Sequence, residues 1–285
     1  MASRLRRSLE RLVVSDELRA RAQQLPTRDL GELGVDPFGY DPEYVPYVGT
    51  PAAWLYRHYF RVEAFGVENV PAEGRVLLVA NHSGQLPFDA FMIAAAQFLE
   101  RDPPRMVRSM VERWIPRLPW VSTLFARVGQ IVGTPDNCRR LLARDEAILV
   151  FPEGVRGISK TFDQRYQLQR FGHGFVRLAL ETQTPVVPVA VVGAEEQAPA
   201  LANLEPVAKL LSMPAFPITP TFPALGPLGL VPLPTRYRIH FGAPLHFSGT
   251  GEEEEAAVRT HVERVRLAIE QLLAHGLAQR EGVFR

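Results

Sequence analysis

RVLLVANHSGQLPFDAFMIAAAQFLE, residues 75–100, changes its periodicity partway along. Its first part, RVLLVAN (75–81), is an apolar run of strand length, apolar enough to be buried on both faces of a sheet. Its last part, DAFMIAAAQFLE (89–100), reads as a helix, with Asp89 placed to cap its start. The polar link between them, Asn81 to Asp89, therefore leaves the carboxyl end of a buried strand. That is where α/β sheets usually build their sites.

The same alternation extends in both directions. RVEAFGV (61–67) reads as a strand, followed after the quoted unit by a strand at 105–109 and helical pieces around 111–127. GQIVG (129–133) precedes a helix from Thr134 with Pro135 at its first position. AILVF (147–151) and VVPVAVV (186–192) are buried-strand candidates, with a helix at about 171–183 between them. YRIHFG (237–242) is the last strand. In the final helix Thr250 and Glu253 read as a capping box, Gly276 as the stop, and Val258, Val262, Val265, Ile269 and Leu272 as one apolar stripe. Strands alternating with helices predict a three-layer α/β domain over 61–276, a mostly parallel sheet flanked by helices.

Before that domain, residues 1–60 read as an N-terminal helical extension. An arginine-rich amphipathic helix covers 3–24 and ends at Pro26, 28–50 is irregular, and PAAWLYRHYF (51–60) is a short helix. Aromatic residues beside cations in that helix suit a membrane interface, and a helix packed on a core has the same pattern. Residues 196–235 form an apolar, proline-rich insertion that either packs over the sheet or lines a lipid site. Residues 277–285 are a C-terminal tail.

Composition excludes several classes. A net charge of +1 gives no global attraction to nucleic acid. The single Cys138 rules out an internal disulfide framework and a multi-cysteine zinc site, and it reads as a bystander. Residues 1–24 lack the apolar core of a signal peptide, and no segment has the ~18–20 apolar residues of a transmembrane helix. A cytoplasmic protein able to lie peripherally on a membrane is expected. Of 32 basic residues only Lys160 and Lys209 are lysines; base composition accounts for such a bias, and arginine's planar fork also suits phosphate.

The G-x-S-x-G, G-x-x-x-x-G-K-[ST], H-E-x-x-H and G-x-G-x-x-G signatures are missing from the sequence. Two segments stand out instead. In NHSGQLPFD (81–89), His82 is a natural general base near neutral pH, and Asp89 is placed to fix its tautomer. In FPEGVRGISK (151–160), Gly154 and Gly157 let the backbone approach a ligand, and Arg156 and Lys160 offer charge for a phosphate. A lone histidine is more often structural, and a glycine-rich basic turn is common.

Together the segments resemble the glycerophospholipid acyltransferase superfamily, the PlsC-like lysophosphatidic acid acyltransferases. His82 and Asp89 stand where that family has its N-H-x-x-x-x-D pair, and FPEGVR (151–156) matches F-P-E-G-x-R at every fixed position. GQIVGTPDNCRRLL (129–142) and VVPVAVVG (186–193) resemble its second and fourth blocks, and all four keep the family's order. One departure is that six residues separate the histidine from the aspartate where the family usually has four. That spacing and the insertion look more like a bacterial and plant branch related to diacylglycerol acyltransferases.

The resemblance implies acyl transfer from acyl-CoA or acyl-carrier protein, used as a donor substrate and not a cofactor, to a lysophospholipid hydroxyl. The expected acceptor is 1-acyl-glycerol-3-phosphate, on the cytoplasmic side of the cell membrane; a neutral acceptor, or a lipid-binding relative without turnover, is the alternative. His82 would be the base and Asp89 its partner. Arg156 with Lys160 would hold the acceptor's phosphate, Glu153 would brace the loop, and amides near Gly154 or Gly157 would stabilise the oxyanion. Neither a metal nor a nucleic-acid partner is implied.

Overall fold

A computed structural model describes residues 14–26, 30–83, 87–112, 120–210 and 215–285. Helices α1 (Asp16–Gln23) and α2 (Val45–Trp54) precede strands β1 (Glu63–Phe65) and β2 (Val76–Ala80). Then come α3 (Phe88–Leu99), β3 (Val107–Val111), α4 (Val121–Arg127), β4 (Ile131–Val132) and α5 (Pro135–Leu142). Strand β5 (Ala147–Val150), α6 (Val155–Ile158), α7 (Gly174–Thr182) and β6 (Val186–Val192) follow. The apolar insertion contributes a small antiparallel pair, β7 (Ala202–Asn203) and β8 (Pro217–Ile218), with α8 (Glu205–Leu210) between them. Strand β9 (Arg238–Phe241) and α9 (Glu255–Gln279) complete the order.

Among the described residues seven strands form one sheet in the order β1-β9-β6-β2-β5-β3-β4, parallel throughout except where β9 meets β6. Strand β2, VLLVA, is buried at all five positions, as its unbroken apolar run requires. Its alternate side chains serve different cores. Val76, Leu78 and Ala80 pack with Tyr56, Phe60, Met92 and Ile93 on one face. Leu77 and Val79 pack with Leu141, Val176, Val262 and Ile269 on the other. Each such side chain contributes roughly 1.5–3 kcal/mol on full burial, so the central strands anchor the three layers.

The N-terminal helices belong to the first of those layers. Leu18 and Ala22 of α1, Ala53 near the end of α2, and Tyr56 in the π-helical turn Leu55–Tyr59 that follows it, are buried in it. The Arg21 guanidinium donates to the carbonyls of Phe98 and Arg101, and the Tyr56 hydroxyl donates to Glu100 at 2.6 Å. The PAAWLYRHYF segment is thus largely a core helix, with Trp54 left 55% exposed. Of the amphipathic helix expected over 3–24, residues 3–13 lie outside the described residues.

Several boundaries differ from expectation. Helix α2 begins at Val45, inside the stretch read as irregular, because Pro46 sits in its first turn, where no intrahelical donor is lost. Strand β3 lies two residues later than expected. Asp89 is not the cap of α3: Pro87 holds that position and Asp89 lies in the first turn. Glu253 accepts from the amides of Thr250 and Gly251 in a turn ahead of α9, so that pair is not the helix's capping box.

Helix α9 also runs past Gly276, to Gln279. A Cβ at Gly276 would lie 2.8 Å from His240 Nε2, so this glycine permits a close helix–strand contact instead of ending the helix. Leu273 takes the buried stripe position expected of Leu272, which is only partly buried.

Candidate active site

Three adjacent parallel strands, β5, β2 and β6, end at one rim of the sheet, and the polar segments leave from there. The Asn81 carboxamide exchanges two hydrogen bonds with the backbone of Val191: its Nδ2 donates to the carbonyl at 3.1 Å and its Oδ1 accepts from the amide at 2.8 Å. A side chain here continues the β2–β6 ladder beyond the last paired residues, and His82 follows from a fixed point.

His82 Nδ1 lies 2.7 Å from Asp89 Oδ2. The aspartate is fully buried and the imidazole 16% exposed. Asp89 Oδ2 also accepts from the Ser83 amide at 2.9 Å, and Oδ1 from the Ala90 amide at 2.7 Å. Its position in the first turn of α3 adds the favourable field of the helix N-terminus. A carboxylate held this way fixes Nδ1 as the protonated nitrogen and leaves Nε2 to take a proton. The two side chains thus meet at hydrogen-bond distance although six residues separate them in sequence. Of the link, Gly84 to Leu86 lie outside the described residues.

The second segment encloses the first. Phe151 stacks on the His82 ring, with centroids 4.1 Å apart and planes 22° from parallel. Glu153 is buried; Oε1 accepts from the His82 amide at 2.8 Å and Oε2 from the Gln169 amide at 2.8 Å. Gly157 packs against His82, and a Cβ there would stand 2.7 Å from that of His82. Gly154 has φ 56° and ψ −143°, a conformation open essentially to glycine alone. Arg156 is exposed, and its Nη2 donates to the Arg170 carbonyl at 3.0 Å.

Two expectations need correcting. Lys160 does not present its charge to solvent: the side chain is 4% exposed, with Nζ 2.8 Å from Glu195 Oε1 and 3.6 Å from Glu153 Oε2. Its ammonium answers buried carboxylates. The Gly154 and Gly157 amides are also engaged, donating to Phe151 and Gly154 carbonyls at 3.0 Å each, so they serve the turn and not an oxyanion.

Sequence reasoning gave no role to Phe151, Asn81 or Glu195. Asn81 was signalled by a polar side chain directly after a buried strand, and Glu195 by paired acids, Glu195-Glu196, just beyond another. Burial pushes the Glu195 carboxyl up, against the lowering effect of Lys160. The Glu195 Oε2 accepts from the Tyr166 amide at 2.9 Å; the Tyr166 hydroxyl bonds Glu196, and Arg280 closes the chain on Glu196 at 2.6 Å. Cys138 is buried against Met110, with its thiol pushed up to about 11 by desolvation, away from the site.

Comparison with known proteins gives this geometry its context. Residues 61–192 match the Acyltransferase family. An uncharacterized protein of Mycobacterium tuberculosis is 40% identical over 265 residues, covering 91% of this chain and 74% of that one. An uncharacterized Mycobacterium leprae protein is 40% identical over the same length, with 72% of it covered. A probable 1-acyl-sn-glycerol-3-phosphate acyltransferase of Mycoplasma pneumoniae is 26% identical over 166 residues, 55% of this chain and 59% of that one. In fold, the chain is similar to the crystal structure of the 1-acyl-sn-glycerophosphate acyltransferase PlsC from Thermotoga maritima. The TM-score is 0.51 at 16% identity, covering 96% of this chain and 93% of that one.

Proposed function

This chain belongs to the PlsC-like acyltransferases of the glycerophospholipid acyltransferase superfamily, and from that premise we propose that it acylates the hydroxyl of a lysophospholipid, foremost 1-acyl-glycerol-3-phosphate, in phospholipid biosynthesis. The observation that carries the reading is the 2.7 Å contact between His82 Nδ1 and a buried, fully engaged Asp89. In this mechanism His82 Nε2 removes the proton of the acceptor hydroxyl as its oxygen attacks the thioester carbonyl of acyl-CoA or acyl-carrier protein. The tetrahedral intermediate collapses, the C–S bond breaks, and the leaving thiolate takes the proton back from the imidazolium. Asp89 stabilises the imidazolium between those steps. Stacking on Phe151 shields one ring face from water and holds the ring in place.

Arg156 is the residue proposed to hold the acceptor's phosphate. Its guanidinium is exposed, on the segment that packs against His82, and a charge-assisted fork suits a phosphate monoester. Attachment to the cytoplasmic face of the membrane is proposed to be peripheral. Among the described residues no helix is long and apolar enough to cross a bilayer, while Leu225, Leu228, Leu230, Val231 and Trp54 are exposed. Tyr59 ties these two regions together: its ring lies 6.0 Å from that of Trp54, and its hydroxyl donates to the Pro232 carbonyl. High-salt or alkaline washing should release the protein from membranes.

The deciding experiment offers labelled acyl-CoA and a panel of acceptors to the purified protein. Acylation of 1-acyl-glycerol-3-phosphate is expected. Turnover confined to diacylglycerol or long-chain alcohols would replace this acceptor with a neutral one, and binding without turnover on any acceptor would overturn the enzymatic reading of the site.

A further inference from the structure

Lys160 is one of only two lysines among 32 basic residues, and it is buried. Its ammonium stands between carboxylates from two different strand ends: Glu153, just past β5, at 3.6 Å, and Glu195, just past β6, at 2.8 Å. Glu153 in turn holds the amide of His82, just past β2. These are the three neighbouring strands at the centre of the sheet. We propose that Lys160 is a positioning residue for the acyl transfer: by joining Glu153 to Glu195 it ties the ends of β5 and β6 together and fixes the carboxylate that holds the His82 backbone.

The physical case is one of charge and shape. Two carboxylates buried this close repel each other unless a cation lies between them, and removing one partner of a buried ion pair leaves an uncompensated charge. An ammonium is a compact point charge with three donors, whereas a guanidinium is a broad planar fork. In a chain that otherwise uses arginine almost throughout, lysine stands where a small cation has to fit. The far side of the link is anchored as well, since Glu195 also holds the Tyr166 amide and the Tyr166 hydroxyl accepts from the Gly193 amide at 2.8 Å.

The inference rests on His82 as the base, and its test separates the two ideas. Lys160→Met should lower kcat about 10- to 100-fold, the effect of a slightly misplaced catalytic group, while both Michaelis constants stay within about twofold. Lys160→Arg should recover part of the loss. Independently of turnover, hydrogen exchange at the His82 amide, followed by NMR, should quicken about tenfold or more in Lys160→Met as the Glu153 bond loosens. If Lys160→Met does not fold, the double variant Lys160→Met with Glu195→Gln removes both charges and carries the same measurements. Unchanged kcat together with unchanged amide exchange would overturn the proposal, in either variant. So would a rise in the acceptor's Michaelis constant at constant kcat, which would make Lys160 a substrate ligand. Should His82→Ala retain activity, the base assignment falls, yet the amide exchange still reports whether Lys160 positions this backbone.

Discussion

The segments leaving β2 and β5 begin side by side and do opposite things with their charged groups. In the first, a buried Asp89 holds a histidine side chain that keeps 16% exposure, so its imidazole is the part left open to a substrate. In the second, a buried Glu153 holds the backbone of that same histidine, and the exposed charge is a permanent cation, Arg156. In the proposed mechanism one segment supplies a proton acceptor that changes state in each cycle. The other supplies groups that never need to. Damage to the first is therefore expected to strike the chemical step, and damage at the rim of the second to strike recognition.

The largest effect is expected at the histidine. His82→Ala should lose roughly 10⁴-fold in kcat, at the upper end for general-base catalysis, while donor binding persists. Asp89→Asn should lose roughly 10³- to 10⁴-fold, because a carboxamide neither stabilises the imidazolium nor enforces the tautomer. Steady-state kinetics on a folded variant checks both, and near-normal turnover in either would remove the pair from the mechanism. At the rim of the other segment, Arg156→Ala should cost about 2–4 kcal/mol, roughly 30- to 1,000-fold in efficiency toward a phosphorylated acceptor. The defect should lie in the acceptor's Michaelis constant, and Arg156→Lys should restore only part of it. A defect confined to the thioester donor would instead assign Arg156 to the phosphates of coenzyme A.

Gly157→Ala probes the seam between the two segments. Its new Cβ would stand 2.7 Å from His82 Cβ and 3.0 Å from the His82 carbonyl, so the histidine must shift. About a tenfold fall in kcat is expected, with unchanged Michaelis constants, since small misplacements tax chemistry more than binding. The smallest effect at neutral pH lies far from both segments and limits the range over which the kinetics can be read. His240 is buried, and desolvation holds its imidazole down to about 4, so it stays neutral in the folded protein while the unfolded chain protonates near 6.5. Stability should therefore fall as pH drops from 6.5 towards 4, by at most about 3 kcal/mol. His240→Phe should flatten that slope in urea titrations, because the ring stacks on Phe65 and its Nε2 has no hydrogen-bond partner among the described residues.

The buried strands were legible in the sequence because each is a short apolar run, and β2, β5 and β6 fall within a residue or two of where the pattern places them. The positions of His82 and Glu153 at strand ends followed directly. What the sequence did not carry was the destination of Lys160. A lysine in a glycine-rich turn reads as solvated, and the carboxylate that buries it is 35 residues away along the chain. Gly276 misled for a related reason. A glycine near a helix end reads as a stop, and only the approach of His240 from another element explains why it lies within the helix. Local pattern reports local geometry; both misses were settled by a partner from a distant part of the chain.

The two hydrogen bonds between Asn81 and Val191 have a consequence for how this site tolerates a change in the link. They clamp the chain just ahead of His82, while the first turn of α3 fixes Asp89, so each of the two residues is anchored to the core on its own side. Both ends are held by the core, and His82 and Asp89, with six residues between them, meet at 2.7 Å. A variant with one residue more or fewer between His82 and Asp89 is therefore expected to keep the two side chains in contact for as long as both anchors hold.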